Sequence, residues 1–102
     1  MSQYAARVAA LETLTKAAAL LRPDQRARLE IGFRCEINVH LESDDPAAAG
    51  EVAEIMHLTA EPPAATATAV HHVWSGTWLG HRVRVMVVVP VDRCSCGKPV
   101  QS

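Results

Sequence analysis

The chain has 102 residues, with 10 Lys and Arg against 11 Asp and Glu, which gives a formal net charge of -1 at pH 7. A chain of this length is expected to form one domain that buries roughly two thirds of the surface of its unfolded state. The near-neutral charge argues against a global field that attracts polyanions or anionic membranes. The sequence shows no secretory signal pattern and no apolar run of roughly 18 residues, and its number of cysteines is odd. These features together favour a reduced, cytoplasmic protein without membrane contact.

The first element predicted from the sequence is an amphipathic helix from Ser2 to Leu21. Ser2 can cap its start, and Pro23 disfavours helical geometry at the residue before it. The apolar side chains recur at spacings of three and four, and we expect this stripe to face the core. It consists of Tyr4, Val8, Leu11, Leu14, Ala18 and Leu21, with Glu12, Thr13 and Lys16 on the opposite side.

A period of two dominates the next segment, from Leu29 to Leu41. Apolar residues occupy every odd-numbered position, and polar residues or glycine occupy the even-numbered ones. This alternation predicts one strand with one face against the core and the other open to solvent. Cys35 falls on the apolar side, where a free cysteine is typically a small core residue.

A second helix is predicted to start at Pro46, with Asp45 as its N-cap residue. It is expected to continue to about Ala60 and to end before Pro62 and Pro63. The segment rich in alanine and threonine that follows, up to Ala69, is predicted to be a connection without regular structure.

The segment from Val70 to Val91 predicts a β-hairpin, because it holds the densest run of β-branched residues. A turn at Leu79 and Gly80 gives one almost wholly apolar face, whereas a turn at Ser75 and Gly76 mixes the two faces. We therefore expect the turn at Leu79 and Gly80. The apolar face then pairs Trp78 with His81, Gly76 with Val83, Trp74 with Val85, His72 with Val87 and Val70 with Val89.

The predicted fold class is α+β, in the order helix, strand, helix, strand, strand. We expect a three-stranded antiparallel sheet of the split β-α-β type, with the last strand in the centre and both helices on one face. This layout resembles a fragment of a ferredoxin-like fold, a likeness that implies nothing about function. Residues 1–92 are predicted to form the single domain, and residues 93–102 a flexible C-terminal tail.

A weak metal-binding motif lies in this tail. Cys94 and Cys96 could bind zinc, with His71 as a third ligand from the start of the hairpin. A structural zinc site usually has four ligands, and the sequence offers no second cysteine pair. A tail with free thiols is therefore the favoured interpretation, and no cofactor is expected.

A polar cluster is predicted on the open face of the sheet. His40 ends the first strand, and an antiparallel sheet would place it near Thr77 and Arg82 in the hairpin. With Glu42 close by, such a cluster could bind an anion or move a proton. A solvated face is the favoured alternative, since no nucleophile or phosphate-binding glycine loop accompanies the cluster.

Three arginines on the same face, Arg34, Arg82 and Arg84, could contact phosphates. Sheets that bind nucleic acid usually add exposed aromatic side chains, and here both tryptophans and Phe33 are expected to point inward. Nucleic acid is therefore a disfavoured partner.

The same open face carries apolar side chains at Val73, Met86 and Val88. Together with the three arginines, they predict a contact surface for self-association or for a larger protein partner. The function that the sequence favours is thus a small, non-enzymatic binding or assembly module that forms homo-oligomers through the open face or an edge of its sheet. A regulatory protein that binds nucleic acid through the arginines, or a metal through Cys94 and Cys96, is the alternative. Acid and base residues are present, but their spacing forces no catalytic arrangement.

Overall fold

The computed structural model describes residues 3–43 and 45–91. The elements are α1 (Gln3–Ala19), β1 (Ala27–Ile31), β2 (Ile37–Leu41), α2 (Pro46–Ile55), β3 (Thr59–Ala60), β4 (Ala64–Ala65), β5 (Ala69–Trp78) and β6 (His81–Pro90). The six strands form one sheet in the order β1-β2-β6-β5-β3, with β4 also paired to β5. The α+β class is confirmed, whereas the expected three-stranded antiparallel sheet is wrong, since the sheet has six strands and is mixed.

The predicted single strand is in fact a hairpin of β1 and β2. The chain turns at residues 32–36, where Gly32 N–H donates to Glu36 O and Cys35 N–H donates to Gly32 O. The register pairs Ile31 with Ile37 and Ala27 with Leu41, so odd-numbered residues face odd-numbered residues across the hairpin. The alternation therefore continues through the turn without a break, and for that reason it did not reveal the reversal.

β6 occupies the centre of the sheet, as the sequence predicts. It runs antiparallel to β5 but parallel to β2, with Ile37 beside Val83 and Leu41 beside Val87. The split β-α-β arrangement with an antiparallel sheet is therefore wrong. The start of β2, rather than its end, lies next to the hairpin turn, and this reversal decides which side chains meet on the open face.

The segment predicted as a plain connection forms the short edge strands β3 and β4. Thr59 pairs with Ser75, and Ala64 pairs with His71. Pro62 and Pro63 stand between the two pieces and lack the N–H groups that a continuous strand would use. Between α2 and β5 the chain therefore crosses the sheet once more, through β3 and β4. This extra crossing reverses the direction of β5 and β6 relative to the predicted fold, and β6 runs parallel to β2 as a result.

The hairpin of β5 and β6 is confirmed in turn and register. Trp78 pairs with His81, Trp74 pairs with Val85 and Val70 pairs with Val89. Leu79 and Gly80 both have positive φ, 54° and 82°, as a two-residue turn that matches the twist of the strands requires.

The core lies between one face of the sheet and both helices. Its sheet side is built from Ile37, Val39, Leu41, Val83, Val85 and Val87, and its helix side includes Ala10, Ala17, Ala49, Val52 and Met56. Asp45 caps α2 by accepting a hydrogen bond of 3.0 Å from Ala47 N–H, as predicted. The helix ends at Ile55, earlier than expected, because His57 adopts a left-handed conformation with φ 58°.

The orientation of α1 matches the prediction only in part. Its buried side is formed by Ala10, Thr13 and Ala17, and the Thr13 hydroxyl contacts His81 Nδ1 at 3.1 Å. Tyr4, Val8 and Leu11, expected in the core, are exposed instead. Leu14 and Leu21 pack against the core beside these small side chains, so α1 meets the sheet with one part of its predicted stripe and leaves the other part exposed. In the described part of the chain, neither helix has the length and apolar content needed to span a membrane.

Candidate functional site

The open face of the sheet divides into a basic end and an apolar end. The basic end lies at the β5-β6 turn and carries Arg82 and Arg84, which stand beside Thr77 and Ser75 of β5. The apolar end lies further along the same strands, where Met86 stands beside Val73. The two ends therefore suit different ligands and are described separately.

A cleft of about 860 Å³ occupies the basic end. One wall comes from the β1-β2 turn, and the floor comes from the hairpin strands. The lining consists of Arg34, Cys35, Glu36, Glu61, Ser75, Gly76, Thr77, Gly80, His81, Arg82, Val83 and Arg84. We call this feature the basic cleft.

The three arginines predicted as a phosphate-contacting set all line the basic cleft. Among residues 3–43 and 45–91, every ion pair involves other arginines, namely Arg22 and Arg28. Arg34, Arg82 and Arg84 are thus cations without a carboxylate partner in that part of the chain. Each keeps its planar fork of N–H donors available for an anion.

Two carboxylates also line the basic cleft, and both already accept hydrogen bonds. Glu36 Oε1 accepts a bond of 2.9 Å from Arg34 N–H, which fixes the β1-β2 turn. Glu61 Oε2 accepts a bond of 2.7 Å from the Ser75 hydroxyl. With three guanidinium groups against two carboxylates, the formal charge of the lining is positive even with His81 neutral.

Gly32 leaves room for the carboxylate that holds this turn. A Cβ atom at Gly32 would overlap the Glu36 carboxylate, so a side chain there would displace the group that binds the Arg34 backbone. The glycine is the one sequence signal at this position that could have revealed both the turn and the placement of Arg34.

Phe33 is 92% exposed in the same turn, and the prediction that it points inward is wrong. The alternation assigned it to the core, but the residue lies at the tip of the hairpin rather than in a strand. An exposed aromatic ring therefore stands next in sequence to an arginine that lines the basic cleft. This weakens the sequence-based case against nucleic acid, although Trp74 and Trp78 do lie against the core.

The predicted polar cluster of His40 and Thr77 does not form. His40 stands beside Met86, and Thr77 stands beside Arg82, four residues earlier in β6. This corresponds to roughly 13 Å along the strand. The parallel pairing of β2 with β6 is the cause, since it moves His40 to the apolar end and brings Arg34 to the basic end.

The predicted zinc site falls mostly outside the described residues, because Cys94 and Cys96 lie beyond residue 91. His71 is on the open face of β5, beside Val88. Among the described residues, no group of three or more His, Cys, Asp or Glu side chains is arranged to hold a metal ion. Cys35 is a free thiol in the β1-β2 turn, where it is partly buried, packs against the core and lines the basic cleft.

The apolar end of the face is small. Val73 and Met86 are half-buried by their neighbours, and Val88 is the exposed member of the three, at 43%. His40 and His71 border them across the strands. Three such side chains supply far less than the roughly 800 Å² per partner of a standard protein interface.

Comparison with known proteins yields no match, whether with family models, curated proteins or solved structures.

Proposed function

We propose that this protein is a small, non-enzymatic binding module that holds a phosphate-bearing ligand in the basic cleft. The observation that carries the proposal is the convergence of Arg34, Arg82 and Arg84 on one cleft, where no described carboxylate forms an ion pair with them. Guanidinium groups form charge-assisted, often bidentate hydrogen bonds with phosphate oxygens. The Thr77 hydroxyl, which stands beside Arg82, adds a neutral donor to the same set.

Phe33 suggests that the ligand also presents a base. Its ring is exposed and next in sequence to Arg34, which lines the basic cleft. Proteins that bind single-stranded nucleic acids combine a cationic groove with such aromatic rings, on which stacking is worth about 1–3 kcal/mol per base. The net charge of -1 supplies no long-range attraction, so binding depends on the local cluster. We therefore expect modest affinity and a short footprint.

Self-association through the open face is a second candidate, supported by the contiguous apolar side chains of Val73, Met86 and Val88. Its area is small, and the edges of the sheet offer little more. Pro62 and Pro63 interrupt one edge, while the other edge carries the Arg28-Glu30 ion pair at 3.2 Å. The geometry thus favours the phosphate ligand as the occupant of this face.

The direct test is fluorescence anisotropy with a labelled single-stranded oligonucleotide of about ten bases, titrated at several salt concentrations. Three phosphate contacts predict a slope of log affinity against log salt of about -2. The variant Arg82→Gln is expected to weaken binding about tenfold and to make the slope shallower by about 0.7. Glu61→Gln is expected to strengthen binding, because it removes a negative charge from the lining while retaining an acceptor for Ser75.

The matched control is Arg28→Gln, which removes an arginine of the same face that is already paired with Glu30. It is expected to leave affinity unchanged. Inorganic pyrophosphate and a mononucleotide serve as competitors. The Phe33→Ala variant should bind the oligonucleotide more weakly but pyrophosphate with unchanged affinity. The proposal is wrong if no probe binds at low salt, or if Arg28→Gln and Arg82→Gln weaken binding equally.

A further inference from the structure

A second surface lies on α1, on the side that faces away from the sheet. Tyr4, Val8 and Leu11 are 79%, 37% and 54% exposed. At 100° per residue they lie roughly 150° around the helix from the buried Ala10, Thr13 and Ala17. Helices normally place their large apolar side chains against the core, as Leu14 does here, so the three exposed side chains form a separate surface that is available to a partner.

The spacing of this stripe is that of a coiled-coil seam. Starting at Tyr4, the steps alternate between four and three residues and pass through Val8, Leu11, Thr15 and Ala18. In heptad notation Tyr4, Leu11 and Ala18 occupy d positions, and Val8 and Thr15 occupy a positions. We call these five residues the α1 seam.

Thr15 is the polar member of the α1 seam, and its hydroxyl is already satisfied. Its Oγ1 donates to Leu11 O at 2.9 Å within the helix. Burial of Thr15 in a helix pair would therefore leave no unpaired hydroxyl donor, which removes the usual cost of a polar side chain at such a position.

The charges that flank the α1 seam select the partner. Arg7 occupies a g position and Glu12 the e position five residues later. In a parallel pair of helices, g of one chain faces e of the next heptad in the other chain. A parallel pair of α1 helices thus places Arg7 of each chain opposite Glu12 of the other. An antiparallel pair would place g against g and e against e, so that Arg7 faces Arg7 and Glu12 faces Glu12. Neither residue has an ion pair among the described residues.

From the exposed heptad and its complementary flanks, we infer that the protein forms a parallel homodimer through α1. The helix is already ordered by its contact with β1 and β2, so dimerisation does not carry the entropic cost of forming it. The seam spans only about two heptads, so we expect a weak dimer with a dissociation constant in the micromolar range. The basic cleft is on the opposite face of the sheet, so this inference is independent of the proposed ligand.

The test is the mass in solution, measured by sedimentation equilibrium from about 1 to 200 μM. The wild-type chain is expected to dimerise, and Leu11→Glu is expected to be monomeric. Leu11 is more than half exposed in the protomer, so its replacement should not destabilise the fold. The thermal midpoint of Leu11→Glu should equal that of the wild type measured at a concentration low enough for the wild type to be monomeric. Met86→Glu is the control and should dimerise as the wild type does.

Charge reversal tests the parallel orientation. Arg7→Glu and Glu12→Arg should each weaken the homodimer about tenfold, because both interchain pairs become repulsive. An equimolar mixture of the two variants should restore the wild-type affinity. In the mixed dimer, the new glutamate at position 7 of one chain faces the new arginine at position 12 of the other, and the unchanged Arg7 and Glu12 form the second pair. In an antiparallel pair, like charges already face each other in the wild type. The single variants would then cause no weakening, and the mixture would bind more tightly than the wild type.

The inference is overturned by a monomeric wild type at 200 μM, or by a dimer that Leu11→Glu leaves intact. Loss of the dimer in Met86→Glu alone would assign association to the open face of the sheet. A monomer that sediments with phosphatidylglycerol vesicles, and loses this property in Leu11→Glu, would assign the seam to a lipid surface instead.

Discussion

Gly50 provides a sharp test of how α2 lies on the sheet. It is an interior residue of α2, where glycine is less favourable than alanine by about 0.8–1 kcal/mol. A Cβ atom at this position would have Trp74 Cζ2 as its nearest neighbour, at 3.6 Å, which is an ordinary van der Waals distance. Gly50→Ala should therefore gain the full helix preference without a steric cost.

We expect Gly50→Ala to raise the free energy of unfolding by about 1 kcal/mol and the thermal midpoint by about 5 °C. Tryptophan fluorescence during urea and thermal unfolding, at one fixed protein concentration, measures both quantities. Ala48→Gly, in the same helix, is the matched control and should lower the stability by a similar amount. A neutral or destabilising Gly50→Ala would show that Trp74 approaches the α2 backbone more closely than the structure indicates, and the packing argument would fail.

Two further pairs of substitutions test the end of α2 and the buried face of β6. His57 follows the last turn of α2 with φ 58°, and the next residue, Leu58, donates its N–H to Ala53 O. Because glycine adopts this left-handed conformation without strain, the His57→Gly variant should be more stable than His57→Ala by about 1 kcal/mol in urea unfolding. Equal stabilities would contradict the left-handed conformation. Val85 is fully buried in β6, whereas Val88 is 43% exposed. Val85→Ala should therefore cost about 2–3 kcal/mol and Val88→Ala less than about 0.5 kcal/mol, and similar costs for both would place the wrong face of β6 against the helices.

The local pattern of the sequence was sufficient for the hairpin at Leu79 and Gly80, the central position of β6 and the cap at Asp45. The turn and the cap depend on residues that are close in sequence, and the position of β6 follows from the apolar character of a strand with neighbours on both edges. The same reasoning placed Arg82 and Arg84 on one face of β6, because alternation fixes faces within a strand. Arg34 was grouped with them and also lines the basic cleft, but it reaches that end through the parallel pairing of β2 with β6.

Alternation could not show that β1 and β2 are two strands, since a register that pairs odd with odd residues keeps the period intact across the turn. It also could not show the direction in which β2 meets β6. That direction depends on β3 and β4, two short edge strands without a periodic signal. It decides whether His40 or Arg34 reaches the basic end.

The amphipathic pattern of α1 was visible in the sequence, but the side of the helix that meets the sheet was not. The protomer buries Ala10, Thr13 and Ala17 and packs Leu14 against the core, so only one part of the predicted apolar stripe meets the sheet. The sequence by itself determined which residues share a face, because side-chain periodicity follows from local backbone geometry. Only the tertiary structure decided which faces meet, since that choice depends on shape complementarity between segments far apart in the chain.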